Sequence, residues 1–394
     1  MRKFDTIYRD RSITEIVYGG KEANTADFDV EKLIKRHKTE ENGYKIYFGE
    51  LHGHTDLSDG IGDIDSYFKT ARDVAKLDFC AVSDHDHGGV GKTELYGEKW
   101  ELTRRKVREY YQKDKFVTIL AYEKDAYPVM NNIVVYYLRD DGEMIKGERE
   151  GEMTADETLR LLARDDVIVV AHTTSFLDSG TDFEHLPLEL MPPLIEVYSR
   201  WGKSEYFGDR FPLRTETRGG YWRDALARGA KIGAISGSDD HAGCPGLYIS
   251  PENRAIEQCL QYCWPGVCAV LAAELTREAV FDALKHRRCY ATMGCRTKID
   301  FTVNGAAMGS EITSGDRKAI YFDIDALHPL RKVTLVLNGG DAIAWNINDG
   351  SKKHSQLIFD NYFINESDYY YLRVELEDGR QCLTSPIWVS KILK

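Results

Sequence analysis

The chain reads as an α/β protein, either a barrel or an open parallel sheet, followed by a small β-sandwich domain. Three observations predict this. Over residues 46–295 short apolar runs alternate with stretches of helical periodicity, the pattern of a parallel sheet covered by helices. After Cys295 the helical patterns stop, and β-rich segments separated by Asn-Gly and Asp-Gly turns take over. Residues 1–45 are polar and charged and end in Lys38-Thr-Glu-Glu-Asn-Gly43, which suits an extension packed on the domain that follows.

Taken in order, the predicted strands of the α/β part are 46–51, 78–83, 116–122, 132–138, 167–171, 194–198 and 231–236. Most are apolar on both faces, as buried parallel strands are. Helix patterns lie between them. Residues 63–76 carry Ile64, Tyr67, Phe68, Ala71 and Val74 at helical spacing. Thr154-Ala-Asp-Glu157 is a capping box ahead of Leu159, Leu161 and Leu162. Residues 276–286 gather Val280, Phe281 and Leu284 on one side. In the carboxyl-terminal part the predicted strands are 299–303, 319–324, 332–337 and 369–376. Turns at Asn304-Gly, Ser314-Gly, Asn338-Gly-Gly340, Asp349-Gly and Asp378-Gly punctuate them. The expected organisation is an extension (1–45), an α/β domain (46–295) and a β-domain (296–394).

Of the 394 residues, 42% are hydrophobic and 29% charged, which excludes a disordered chain and leaves material for a core. Lys and Arg number 52 against 64 Asp and Glu, a net charge of −12. Phosphate-backbone contacts need cations, so nucleic acid is not a favoured partner and a small-molecule substrate is. Apolar stretches such as Val167-Ile-Val-Val-Ala171 fall far short of the ~20 residues of a membrane span. The first ten residues lack the apolar core of a signal peptide. The 8 Cys form no C-x-x-C pair, which argues against a disulfide framework or a Cys-rich zinc site and for a reducing cytoplasm. No oligomeric state is specified.

The chemistry lies in position. The first run leads into His52-Gly-His54, and in extended chain residues i and i+2 point the same way, so both rings reach one metal. Asp59 follows in a Ser-Asp-Gly turn. The second run leads into Ser83-Asp84-His85-Asp86-His87, and the third ends in Tyr122-Glu123. Later runs lead into His172, Glu196 and Asp239-Asp240-His241. The carboxyl ends of parallel strands share one rim, where ligands bind. Singly, each residue has a plainer reading: a hydrogen-bonded structural His, a solvated Glu196, an Asp239 that caps a turn. Their convergence on one rim predicts a metal site. Imidazole and carboxylate without thiolate suit Zn, Mn or Fe(II), and several carboxylates among several His favour more than one ion. A bridged pair makes hydroxide available near neutral pH, so hydrolysis is the natural chemistry. No serine-hydrolase elbow, P-loop or dinucleotide fingerprint competes, and Gly88-Gly-Val-Gly91 lacks the spacing of the last.

His52-Gly-His54 with Ser58-Asp-Gly60, Ser83-Asp-His-Asp86, Glu123, Ala171-His172 and Gly237-Ser-Asp-Asp-His241 resemble the PHP (polymerase and histidinol phosphatase) superfamily. Gly180-Thr-Asp182, Glu196-Val-Tyr-Ser199 with Gly202-Lys-Ser-Glu205, the Gly246 end of Asp240-His-Ala-Gly-Cys-Pro-Gly, and Ala283-Leu-Lys-His-Arg-Arg-Cys-Tyr-Ala-Thr292 look like its DUF3604 branch, related to carbaryl-hydrolase-like metallohydrolases. The resemblance covers about residues 46–310. It implies a distorted (β/α)7 PHP-type barrel with up to three metals on its rim. It would assign His52, His54, Glu123 and Asp239 to a first metal. Glu123 would bridge to a second, completed by His172 and Glu196. Asp59, His85 and His241 would hold a third. Many relatives have His or Cys where Glu196 stands, and some have His where Asp59 stands.

Around these ligands, Glu123 and Asp239 are expected to serve catalysis as well as metal binding. His87 is a candidate substrate contact or proton donor, or else an exposed loop residue. Arg200 is the best candidate to meet an anionic group on the substrate, because a guanidinium fork suits phosphate or carboxylate; the alternative is a salt bridge. Arg288 is a weaker candidate for the same role. Asp84 either orients His85 or caps a turn. Cys244 reads as a small buried residue, and Tyr369-Tyr-Tyr371 as cross-strand packing rather than a sugar-binding strip. The leading expectation is a metal-dependent phosphoesterase acting on a small phosphate ester. The rivals are a carbamate, carboxyl ester or amide hydrolase, and a non-catalytic metal-containing binding protein.

Overall fold

A computed structural model describes residues 5–10, 13–17, 38–86, 95–125, 132–145, 155–177, 180–250 and 261–392. A large sheet runs through the molecule. From one edge its strands are Gly233–Ser236, Leu194–Ser199, Val167–His172, Asn132–Tyr137, Val117–Asp125, Phe79–Val82, Lys45–Glu50, Val267–Ala272 and Cys289–Thr292. All seven predicted strands of the α/β part are present. Two strands of this order were not predicted, Val267–Ala272 and Cys289–Thr292, nor was the two-residue strand Gly202–Lys203 beside Leu194–Ser199. The apolar residues of the first two lie close to the helix Arg277–Lys285, so a short window does not separate strand from helix there.

Alternate side chains of these strands enter two cores. Phe79, Ala81, Val117, Ile119 and Ala121 fall in one, and Cys80, Val82, Leu120 and Tyr122 in the other. A strand buried on both faces needs a continuous apolar run, and that is what the sequence supplies. The direction of the strands is less uniform than expected. Lys45–Glu50, Phe79–Val82 and Val117–Asp125 run parallel, as do Val167–His172, Leu194–Ser199 and Gly233–Ser236. Asn132–Tyr137 is antiparallel to both its neighbours. The link 126–131 is too short for a parallel crossover, which needs a dozen or more residues.

The helix expected at 63–76 is Ile64–Lys69, capped by Asp63, which accepts from Ser66 N, and followed by a π-helical turn, Thr70–Val74. That turn carries Val74 off the apolar face, and it is 63% exposed. Thr276 caps Arg277–Lys285 by accepting from Ala279 N. The Leu-rich helix is Ala155–Leu162; the Thr154 of its expected capping box lies outside the described residues.

The carboxyl-terminal part is β-rich, but no break in the hydrogen bonding sets it apart at residue 296. Gln381–Thr384 pairs antiparallel with Cys289–Thr292, and Ser367–Leu376, Leu330–Leu337 and Gly340–Asn346 extend the large sheet from there. A second sheet contains Lys298–Val303, Lys318–Asp325 and Lys353–Asp360. The two sheets share a core through Phe301, Ile320 and Phe322 on one and Val333, Leu335 and Leu372 on the other. The Asn-Gly turns are where they were predicted, with Asn304, Gly305, Asn338 and Gly339 all at positive φ. Tyr370 and Tyr371 are fully buried, so the Tyr369-Tyr-Tyr371 strip is packing. Among the described residues the extension does not pair with Lys45–Glu50. Asp5–Asp10 pairs with Ile13–Val17, which runs parallel to Lys353–Asp360 and so joins the second sheet. Among the described residues no helix is long and apolar enough to cross a membrane.

Candidate metal centre

The strand ends bring the predicted residues together. His52 and His54 follow Lys45–Glu50, and His85 follows Phe79–Val82. Glu123 lies in Val117–Asp125, His172 closes Val167–His172 and Glu196 lies in Leu194–Ser199. Asp239 and His241 follow Gly233–Ser236. A bridge between Gly53 and Asp240, with His54 N donating to Asp240 O at 2.7 Å, draws the first and last of these loops together. Gly237 permits their approach: a Cβ there would lie 2.3 Å from Glu196 Oε2 and 2.4 Å from His52 Cβ. Asp239 holds its position at φ +54°, a left-handed backbone that non-glycine residues adopt at a cost.

Among the described residues three overlapping groups of ligand atoms result, each with all its atoms within 4.8 Å of one another: His52, His54, Glu123 and Asp239; His52, His172 and Glu196; and His54, Asp59, His85 and His241. Asp239 Oδ1 lies 2.9 Å from His54 Nε2, and Asp239 Oδ2 lies 3.3 Å from His172 Nε2. Glu123 Oε2 is 3.2 Å from both His52 Nε2 and His54 Nε2 and 3.3 Å from His85 Nδ1. Glu196 holds His52 Nδ1 at 2.9 Å and His172 Nδ1 at 2.6 Å. Asp59 Oδ1 is 3.3 Å from His241 Nε2 and 3.6 Å from His85 Nε2. Glu123 thus also faces His85, and Asp239 spans from His54 to His172.

Four carboxylates and five imidazoles thus share one site. Among the described residues, the ion pairs of Glu123, Glu196 and Asp239 are all with imidazoles. Burial opposes charge on His54, yet hydrogen bonds to Asp239 and Glu123 push it up to about 10. Burial likewise opposes His172, which Glu196 leads in raising to about 9. His52 is held well above its ordinary value, against its burial, by Glu196, Asp239 and Glu123. Glu123 and Asp239 stay well below the carboxylate range despite burial, because imidazoles face them. His85 is pushed down, first by burial. Protons on the rings are one answer to this negative charge. Divalent cations are the other, and they use imidazole nitrogens and carboxylate oxygens as ligands. The donor set fits such ions. His85 and His241, about one-fifth exposed (22% and 20%), form the mouth, while His52 and His54 are fully buried.

Arg200 does not reach this mouth. It is fully buried, with Nη1 3.2 Å from Asp240 Oδ1 and Nη2 donating to Leu247 O at 2.8 Å. It ties the loop after Asp240 to the sheet, so the expected substrate contact becomes an internal brace. Arg288 is engaged with Asp282 and lies over the Tyr44 ring. Asp84 accepts from Thr55 N at 2.7 Å, Thr55 Oγ1 at 2.8 Å and Ser58 Oγ at 2.6 Å, and so braces the segment after His54. Cys244 is half-buried, its N donating to Asp240 Oδ2. His87 lies outside the described residues.

Three supporting residues were not singled out from the sequence. Asn132 Nδ2 donates to Glu123 Oε1 at 2.8 Å, leaving Oε2 to the imidazoles. Glu50 is fully buried and accepts from His52 N at 3.2 Å and Ser238 N at 2.8 Å, tying the first strand end to the last loop; burial pushes its carboxyl up to about 8. Trp201 donates its indole N–H to Asp239 Oδ2. The only local signal for any of them is proximity to a ligand: Glu50 stands two residues before His52.

The fold and site together define an α/β protein with a candidate multi-metal centre at its strand ends. Residues 232–321, which include Asp239 and His241, match the family described as Protein of unknown function (DUF3604). An uncharacterized protein of Chlamydia pneumoniae is 24% identical over 367 residues, covering 87% of this chain and 57% of that protein. One from Chlamydia trachomatis is 23% identical over 372 residues, covering 89% and 58%. The chain therefore spans less than two-thirds of the length of these relatives. Among solved structures it is similar to a two-domain protein of Bacteroides vulgatus containing a predicted PHP-like metal-dependent phosphoesterase, at 12% identity and a TM-score of 0.44, covering 89% of this chain and 96% of that one.

Proposed function

We propose that this protein is a metal-dependent hydrolase of the PHP type, its curled sheet a distorted barrel, acting on a small phosphate ester. The observation that carries the metal dependence is the gathering of four carboxylates and five imidazoles into three overlapping ligand groups. The choice of a phosphoester rests on the motif resemblance. His52, His54, Glu123 and Asp239 would hold one ion, His172 and Glu196 with His52 a second, and Asp59, His85 and His241 a third. Bound there, Zn, Mn or Fe would acidify a water molecule and oppose the negative charge that develops on the substrate.

The chain's own groups do the rest. Glu196 gathers the Nδ1 atoms of His52 and His172 around one carboxylate, at 2.9 and 2.6 Å. Asn132 fixes the Glu123 carboxylate in one rotamer. The fully buried floor at His52 and His54 excludes bulk water. His85 and His241 are the partly exposed members of the set, so a substrate would approach from their side.

One observation favours a second reading, hydrolysis of a carboxyl ester or carbamate. Arg200 is withdrawn from the mouth, and an aromatic pair, Phe176 and Trp201, with ring centroids 6.0 Å apart, stands beside Asp239 instead. The test is turnover by the Mn- or Zn-loaded protein on nitrophenyl phosphate mono- and diesters beside an aryl carbamate and an aryl ester. Phosphoester cleavage lost on chelation supports the first reading. Cleavage of the carbonyl substrates alone supports the second. Tight metal binding with no turnover on any of them would leave a binding protein.

A further inference from the structure

The segment Arg200-Trp-Gly-Lys-Ser-Glu205 follows the strand Leu194–Ser199, and the proposed reaction uses none of it directly. Its second residue nonetheless reaches the metal centre. Trp201 donates its indole N–H to Asp239 Oδ2, the oxygen that also faces His172 Nε2 at 3.3 Å. The ring is half-buried and packs edge-to-face on Phe176, with an interplanar angle of 73°.

The backbone around Trp201 is pinned. Trp201 N donates to Ser199 Oγ at 3.2 Å, and Arg200 N to Ser238 O at 3.1 Å. Gly202 has φ +145°, and a Cβ there would lie 2.9 Å from Leu213 N and Pro212 O, so glycine is required. The next anchor comes from the far end of the chain. Lys203, fully buried, holds Glu205 Oε2 at 3.0 Å and Asp209 Oδ2 at 2.7 Å and donates to Gln381 Oε1. Glu205 Oε1 accepts from Tyr371 OH at 2.8 Å, Arg373 Nη1 at 3.0 Å and Arg223 Nη2 at 2.9 Å. Tyr371 and Arg373 lie on the carboxyl-terminal strand Ser367–Leu376, and Gln381 lies on Gln381–Thr384.

We propose that Trp201 is a positioning residue for the metal centre, and that the carboxyl-terminal strands hold it in place through Glu205 and Lys203. The indole N–H fixes the rotamer of the Asp239 carboxylate. The carboxyl-terminal region then belongs to the scaffold of the site rather than being an appended module. The inference rests on the metal reading of that site.

The test measures metal affinity in the full chain, by competition of Zn²⁺ or Co²⁺ with a chelating dye, together with the absorption bands of the Co²⁺ form. Trp201→Phe keeps the ring and removes the N–H. Affinity is expected to fall about tenfold, with shifted Co²⁺ bands and a folded far-UV spectrum. Tyr371→Phe removes one anchor of Glu205 at a distance from the metals. It is expected to weaken binding about two- to threefold, and to do so less in the Trp201→Phe background, because the two act on one path. Wild-type affinity and bands in Trp201→Phe would overturn the positioning role. A Tyr371→Phe effect unchanged in the double variant would overturn the link to the carboxyl-terminal strands. A wild-type protein that takes up neither ion would overturn the metal reading and this inference with it.

Discussion

Two of the buried charge clusters among the described residues are balanced in opposite ways. Around Glu205 the cations are built in. Lys203, Arg223 and Arg373 surround Glu205, with Asp209 beside Lys203. Their partners hold the Glu205 carboxyl down at about 2 in spite of burial, with Lys203 the leading cause. At the strand ends the ion pairs of Glu123, Glu196 and Asp239 are all with imidazoles among the described residues. Lysine and arginine hold their protons at neutral pH, whereas an imidazole can exchange its proton for a metal ion. A cluster of the first kind is complete as folded and serves as structure. One of the second kind crowds imidazoles and carboxylates together, the donor set that a divalent cation uses. Burial of charge alone does not separate structure from function here; the identity of the counter-charges does.

The comparison can be broken from either side. Replacing Glu205 by Gln leaves Lys203 and two arginines facing one another in a buried site. It should cost about 3 kcal/mol of stability, measured by denaturant unfolding, as removal of one member of a buried ionic cluster does. Chelation should not change that difference. At the metal centre, His52→Ala removes a ligand shared by two of the three groups. Metal content should fall by at least one ion per chain and kcat/KM by about 10²-fold or more, read by metal analysis and steady-state kinetics. Full metal content would break the comparison.

The smallest effect is one of pH. In the metal-free protein His172 and His54 are raised to about 9 and about 10 from an ordinary 6.5. Their contribution to stability is complete below pH 6.5 and is lost as pH rises through 9 to 10. The Tm of chelated protein should therefore fall by about 2–4 °C across that window. The metal-loaded protein should not follow it, because its rings are already deprotonated. Glu205, whose carboxyl is pushed down, keeps its contribution above the ordinary carboxylate range and loses it only as pH falls toward 2.

Much of the site was legible in the sequence. Strands buried on both faces place their ends on one rim, and His52, His54, His85, Glu123, His172, Asp239 and His241 stand at or just beyond the ends of runs that the apolar pattern marks, with Glu196 inside one of them. The antiparallel course of Asn132–Tyr137 was legible in principle from the short link before it, but an apolar run has no direction. The sequence leaves Arg200 between a substrate contact and a salt bridge, because a guanidinium on a rim segment looks the same whether it points outward or folds back onto Asp240, as it does here.

The sequence by itself therefore determined the strand–helix alternation, the β-rich carboxyl-terminal part and the set of His and carboxylate residues at the strand ends. These follow from local periodicity and from the residue types that close each run. Only the tertiary structure decided which oxygen faces which ring, that one sheet continues from Cys289–Thr292 into Gln381–Thr384, and that Trp201 reaches Asp239 while Lys203 reaches Gln381. Those last two pairs are 38 and 178 residues apart in the chain. Contacts at such separations are set by how packed elements meet, and no periodicity within either segment encodes them.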